Sequence, residues 1–157
     1  MITFEQFCKK TRLNEQYNMS EHYTFVDLGL PSGTLWATEP SYGAMSFDQA
    51  TEDFGDNLPT KEQWEELFDN CKIKNDRSSL GKTLVGPNGN QLFIPPTERS
   101  SFGDKTSTGF YWSSTEDGDY AYCACFDRKR ERETAGHRSY INAFPKDYKR
   151  RVLPVKK

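Results

Sequence analysis

Three stretches of the chain carry apolar residues at helical spacing, and each opens with a hydroxyl side chain followed three residues later by glutamine. Such a pair satisfies two otherwise orphaned amide donors reciprocally, so it marks a helix start. Thr3 with Gln6 puts Phe4, Phe7, Cys8 and Thr11 on one face, with Ile2 placed to staple Phe7, and predicts a helix over 3–13. Ser46 with Gln49 predicts a second, short helix with Phe47, Ala50 and Phe54 inward and Gly55 ending it. Thr60 with Gln63 predicts a third, from Thr60 to about Cys71, with Trp64, Leu67, Phe68 and Cys71 inward and Glu62, Glu65 and Glu66 facing water.

Elsewhere the apolar period shortens to two. Tyr23–Leu28 and Thr34–Ala37 flank a Leu-Pro-Ser-Gly turn and predict a hairpin. Leu84-Val85 and Gln91–Ile94 flank Gly86-Pro87-Asn88-Gly89-Asn90, where Asn88-Gly89 supplies the positive φ angles of a tight reversal. Gly109–Ser113, Tyr120–Phe126 and Arg151–Val155 complete the strands, with Ala121, Cys123 and Cys125 sharing one face of theirs. The stretches 97–108, 115–120 and 127–148 read as loops.

At 157 residues the chain has the length of one domain. Mean hydropathy is -0.87 and apolar residues are 34%, yet aromatics reach 14%, so the expected core is built from few, large side chains. No run approaches the ~18 apolar residues of a membrane span, and Met1 to Asn14 lacks the apolar centre of a secretion signal. The four cysteines form no CxxC pair and have no histidine at zinc spacing, so reduced thiols, no metal and no cofactor are expected. Charge is segregated: residues 1–70 hold 13 Asp/Glu against 4 Lys/Arg, and residues 71–157 hold 10 against 17. The basic runs Arg128-Lys129-Arg130 and Lys149-Arg150-Arg151 suit an acidic partner surface, or a solvated face.

Three blocks together resemble a known family. Val26-Asp27-Leu28-Gly29-Leu30-Pro31-Ser32-Gly33-Thr34-Leu35-Trp36-Ala37 is similar to the opening of the Fibrobacter succinogenes major paralogous domain. Met45 through Leu67, with Leu58-Pro59-Thr60 leading into Glu62-Gln63-Trp64-Glu65-Glu66-Leu67, resembles its two-helix signature. Gly86–Asn90, Phe110-Tyr111-Trp112-Ser113-Ser114-Thr115 and Arg151–Val155 resemble its later hairpin, core strand and terminal strand. The resemblance covers about residues 23–157 and implies an α+β, C-type-lectin-like fold: two helices packed on a small, twisted, mainly antiparallel sheet. Thr38–Ala44 is shorter than the family's usual insert, and residues 1–22 stand outside the match as an N-terminal helical extension. That extension is a candidate docking segment for a partner or for a second copy.

The chemistry-bearing motifs are each incomplete. Calcium-dependent lectins use a Glu-Pro-Asn or Gln-Pro-Asp loop and a Trp-Asn-Asp strand; here Glu39-Pro40-Ser41 and Trp112-Ser113-Ser114 stand instead, and Trp112 reads as core. Glu116-Asp117-Gly118-Asp119 reads as a solvated acidic turn. The Leu-Pro-Thr stretch also resembles formylglycine-generating oxidases, but Cys123 and Cys125 have the wrong spacing and the family's Asn-Val-Trp-Glu-Trp segment is missing, so they read as buried inert thiols. Asp76–Thr83 mimics the end of a phosphate loop without its first glycine or following helix. His22 and His137 have no nucleophile placed beside them by motif and read as surface residues, and the Asn18-Met19-Ser20 sequon carries no weight without a secretion signal.

These readings predict a non-catalytic binding or structural module that meets a protein or a surface glycan through a rim of C-terminal loops. Tyr120, Tyr122, Arg128, Arg138 and Tyr140 are the expected anchors, because Tyr and Arg combine contact area with polar handles. The resembled family is commonly exported, so the resemblance, in a signal-free chain with an added helix, implies another delivery route: a phage or prophage particle, or the cytoplasm of the producing cell. The alternatives are a variable protein of a diversity-generating retroelement, a nucleic-acid-associated protein using the basic C-terminal region, and a degenerate oxidase. The acidic first half argues against nucleic acid.

Overall fold

Ser46 and Thr60 start their helices as the spacing requires. The computed structural model describes residues 22–75, 81–95, 98–99, 107–128 and 137–157; the helix predicted over 3–13 lies outside them. Helix α1 is Phe47–Phe54, with the Ser46 hydroxyl accepting from the Gln49 amide. Gly55 closes it at φ +51°, but the chain then makes one 3-10 turn, Gly55–Asn57, before Leu58. Helix α2 is Lys61–Asn70, and its capping box is complete: the Gln63 amide donates to the Thr60 hydroxyl at 3.1 Å and the Thr60 amide to Gln63 Oε1 at 2.8 Å. Trp64, Leu67 and Cys71 are buried, whereas Glu62 and Glu65 are exposed. Glu66 differs from expectation, since its carboxylate accepts from both the amide and the hydroxyl of Ser32.

The described strands form three antiparallel sheets. In the first, β1 (Phe25–Val26) pairs with β2 (Leu35–Ala37), which also pairs with the last strand. The second comprises β3 (Lys72–Asn75), β4 (Lys82–Val85) and β5 (Gln91–Ile94). The third and largest runs β6 (Glu98–Arg99), β7 (Ser107–Asp117), β8 (Tyr120–Arg128), β9 (His137–Pro145). Strand β10 is Val155–Lys156, so the terminal strand is shorter than Arg151–Val155; Arg150 and Arg151 make only isolated bridges, to Met45 and Tyr111.

Strand β9 corrects the reading of 127–148 as a loop. It pairs with β8 from Tyr120↔Pro145 to Arg128↔His137. Its alternation is faint because Ser139, Tyr140, Ile141, Ala143 and Phe144 are all half-buried, so no sharp in-and-out contrast marks it. Strand β3 is also unforeseen, having only Ile73 as an apolar residue.

Burial on both faces explains the large sheet. Phe110, Trp112, Ala121, Cys123 and Cys125 cluster with Phe47, Ala50 and Phe54 of α1. Their sequence neighbours Tyr111, Ala124 and Phe126 cluster instead with Trp64 and Leu67 of α2 and with Trp36, Leu84 and Leu92. The two helices therefore cover opposite faces of β7 and β8, and β8 reads as a nearly continuous apolar run.

Two turn segments distant in sequence hold each other. The side-chain amides of Asn88 and Asn90 both donate to the Asp27 carbonyl at 2.8 Å, and the Gly29 amide donates to Asp27 Oδ1. Gly86 is required by this approach: a Cβ there would lie 2.1 Å from the Leu28 carbonyl oxygen. Asp27–Gly29 and Gly86–Asn90 thus form one structural joint.

Candidate functional site

The anchors expected from the sequence are not brought together. Tyr120 is exposed beside the 118–119 turn, opposite Pro145, whereas Arg128 ends the same strand opposite His137, roughly 27 Å away at the usual strand rise. In the strand register the Arg138 backbone stands opposite that of Asp127, near that far end. Tyr122 lies half-buried opposite Ala143, with Lys61 Nζ 4.5 Å above its ring. Tyr140 lies opposite Cys125 and packs against the α1-side cluster, on the other face from Tyr122. Much of the expected rim, at 97, 100–106 and 129–136, falls outside the described residues. The stretch 115–120 is the end of β7 and a tight turn with Gly118 at φ +60°, and Glu116 there is paired with Lys146.

The thiols are as buried as expected. Cys123 and Cys125 are fully enclosed, and Cys125 Sγ faces the Cys123 carbonyl at 3.6 Å. Burial, reinforced by the neighbouring Cys125, holds the Cys123 thiol far above its ordinary range, so it stays protonated and is a poor nucleophile.

A concave site appears elsewhere, at the segment Thr38–Ala44 that follows β2. Its backbone is fastened along its length: the Thr38 amide donates to Thr24, the Ser41 amide to Val152, and Met45 and Arg150 exchange both amide bonds. Ser41 Oγ accepts from the Val152 amide at 3.0 Å and donates to the Gly43 carbonyl, and the Trp112 indole donates to the Met45 carbonyl at 2.8 Å. On this rigid support Tyr42 is 100% exposed. Such complete exposure of a large aromatic on a pinned loop stabilises nothing within the described chain.

Tyr42 stands at a cleft of about 490 Å³ between this loop, the C-terminal end of α1 and the chain at His22-Tyr23. The size is within the range of ligand sites, roughly 300–1,000 Å³. Tyr23, Phe54 and Met45 supply apolar wall, with the Tyr23 and Phe54 rings 6.2 Å apart. Glu39 and Asp53 bring carboxylates, and Gln49 Nε2 holds Asp53 Oδ1 at 2.8 Å. The only sequence signal for this site is Tyr42 itself, the one large aromatic in Thr38–Ala44. Spacing alone could not show that Asp53, on α1, would join it.

A second cleft of about 540 Å³ lies among Gly55–Thr60, Ser114 and Val155–Lys157. Its side chains already serve the fold: Asn57 Nδ2 donates to the Val155 carbonyl, and Thr60 and Gln63 form the capping box. Among the described residues no group of three or more His, Cys, Asp or Glu could hold a metal ion, and no helix is long and apolar enough to cross a membrane. Comparison with protein-family profiles, with curated proteins and with solved structures finds no match to this chain.

Proposed function

We propose that this chain is a non-catalytic binding or structural module of C-type-lectin-like fold, a component of a phage or prophage particle that contacts a protein or a surface glycan. One observation carries the reading: a loop pinned to the core from Thr38 to Met45 displays a fully exposed Tyr42 at the mouth of a cleft. A rigid aromatic on a rigid support gives contact area at little ordering cost, as binding surfaces require. The enclosure of both thiols, with Cys123 held protonated by burial, favours a binding role over the oxidase alternative. The two helices packed on an antiparallel sheet, with the Asp27–Gly29 and Gly86–Asn90 joint, support the lectin-like arrangement. Residues 1–22 serve as its attachment segment, to a partner or to a second copy.

The test is interferometry of the intact chain against the other particle proteins and on a glycan array. Tyr42→Ala is expected to weaken the binding about tenfold or more, a loss of ~1.4 kcal/mol, while the melting temperature is unchanged. Equal binding by the variant would move the contact surface away from this loop.

A further inference from the structure

The chemistry of the cleft selects its occupant. Its walls combine two carboxylates, Glu39 and Asp53, with the imidazole of His22 and the rings of Tyr23, Tyr42 and Phe54, and no Lys or Arg lines it among the described residues. An apolar ligand would strip water from both carboxylates without replacing it, and an anion would be repelled. A flat or compact organic cation meets both requirements, since carboxylates neutralise it and aromatic faces attract it. Resting on the binding-module reading, we propose that the cleft receives an arginine or lysine side chain from a partner protein, with Glu39 and Asp53 pairing its charge and Tyr42 closing over its stem.

The geometry favours this over simple surface charge. Gln49 fixes one oxygen of Asp53 and leaves the other available, so the carboxylate is oriented before any ligand arrives. The outer face of α2 is equally acidic, with Glu62, Glu65 and Asp69 exposed. It differs in two respects: Glu65 is within 3.7 Å of Lys61, and none of these three acids lines either of the two clefts described above. That face is the internal control for nonspecific attraction.

The probe is a blocked Gly-Arg-Gly tripeptide, compared with the same tripeptide carrying citrulline, which keeps the shape and loses the charge. Amide chemical shifts of the full-length chain are followed by two-dimensional NMR. Saturable shifts are expected at residues 39–45 and 53–54, with a dissociation constant on the order of 1 mM, fitting one side chain in an open cleft. The Glu39→Gln/Asp53→Asn double variant should lose at least fivefold in affinity, and raising salt should weaken binding to the native chain. Equal shifts with citrulline, or shifts centred on α2, would overturn the cationic occupant and leave the binding-module reading standing. Absence of any shift in the cleft overturns the inference outright, whereas the binding-module reading fails only if the intact chain binds neither a particle protein nor any glycan of the array. Should the double variant unfold, the citrulline comparison and the salt titration on the native chain decide the matter.

Discussion

Trp64 is fully buried, with Trp36, Phe68, Tyr111 and Phe126 rings at centroid distances from 4.6 to 6.1 Å and its indole donating to the Trp112 carbonyl. Replacing it with alanine removes the centre of the α2-side cluster, and Trp64→Ala is expected to cost about 3–5 kcal/mol in urea melts. Cys71 gives a pH test. Burial first, and the neighbouring Glu66 second, push its thiol from 9.0 up to about 11. The neutral thiol is the form favoured by folding, so its contribution is full below pH 9 and is lost as pH rises towards about 11. Melting temperature should fall over that window, and Cys71→Ala should flatten part of the fall. Trp64 and Cys71 were both legible as inward residues because the i, i+3, i+7 spacing is unbroken. That Cys123 and Cys125 face α1 was not, since the register that decides it depends on β7 and β9.

The elements owe their placement to a few contacts between distant segments. Strand β7 breaks register with β8 between Trp112 and Glu116, and the freed stretch meets the start of α2. There the Ser114 amide donates to the Pro59 carbonyl and Thr115 Oγ1 accepts from the Lys61 amide at 3.0 Å. Thr115 therefore caps a helix 54 residues away in sequence, beside the local Thr60–Gln63 box. Thr115→Val keeps the shape and removes the acceptor, and should destabilise the protein by about 1 kcal/mol in denaturant melts. A loss below the error of the melt would show that water replaces the bond. Local capping was readable from the sequence; this second cap was not, because a bulge has no residue signature of its own. Strand β9 escaped for a related reason, as half-burial on both faces blurs the period-two signal.

Across the whole molecule, the segregation of charge proves only partly available to partners. Arg150, from the second basic run, lies with its guanidinium 4.5 Å from the Phe110 ring centre and 5.1 and 5.2 Å from those of Phe144 and Tyr148. Its backbone is locked to Met45, and Arg151 lies half-buried with its backbone bridged to Tyr111. Part of the run is thus internal scaffolding for the loop that carries Tyr42. Fluorescence anisotropy with labelled duplex DNA or RNA is expected to show no micromolar binding near physiological salt. A steep fall of log affinity with log salt would instead reveal phosphate contacts and revive the nucleic-acid alternative.

The joint at Asp27 has a chemical consequence as well as a structural one. Asn88-Gly89 is a pair in which the glycine nitrogen can attack the asparagine carboxamide, expelling ammonia and leaving, after hydrolysis, an aspartyl or isoaspartyl residue. In the native state Asn88 Nδ2 is held on the Asp27 carbonyl, Asn88 Oδ1 accepts from the Asn90 amide, and the Gly89 amide donates to Gly86, so attack is obstructed. Unfolding releases all three. Once converted, the side chain would set a carboxylate against a carbonyl oxygen and the joint could not close as before. The turn would then keep a covalent record of each excursion from the native state, legible by peptide mapping of aged samples and enriched in those cycled through heat.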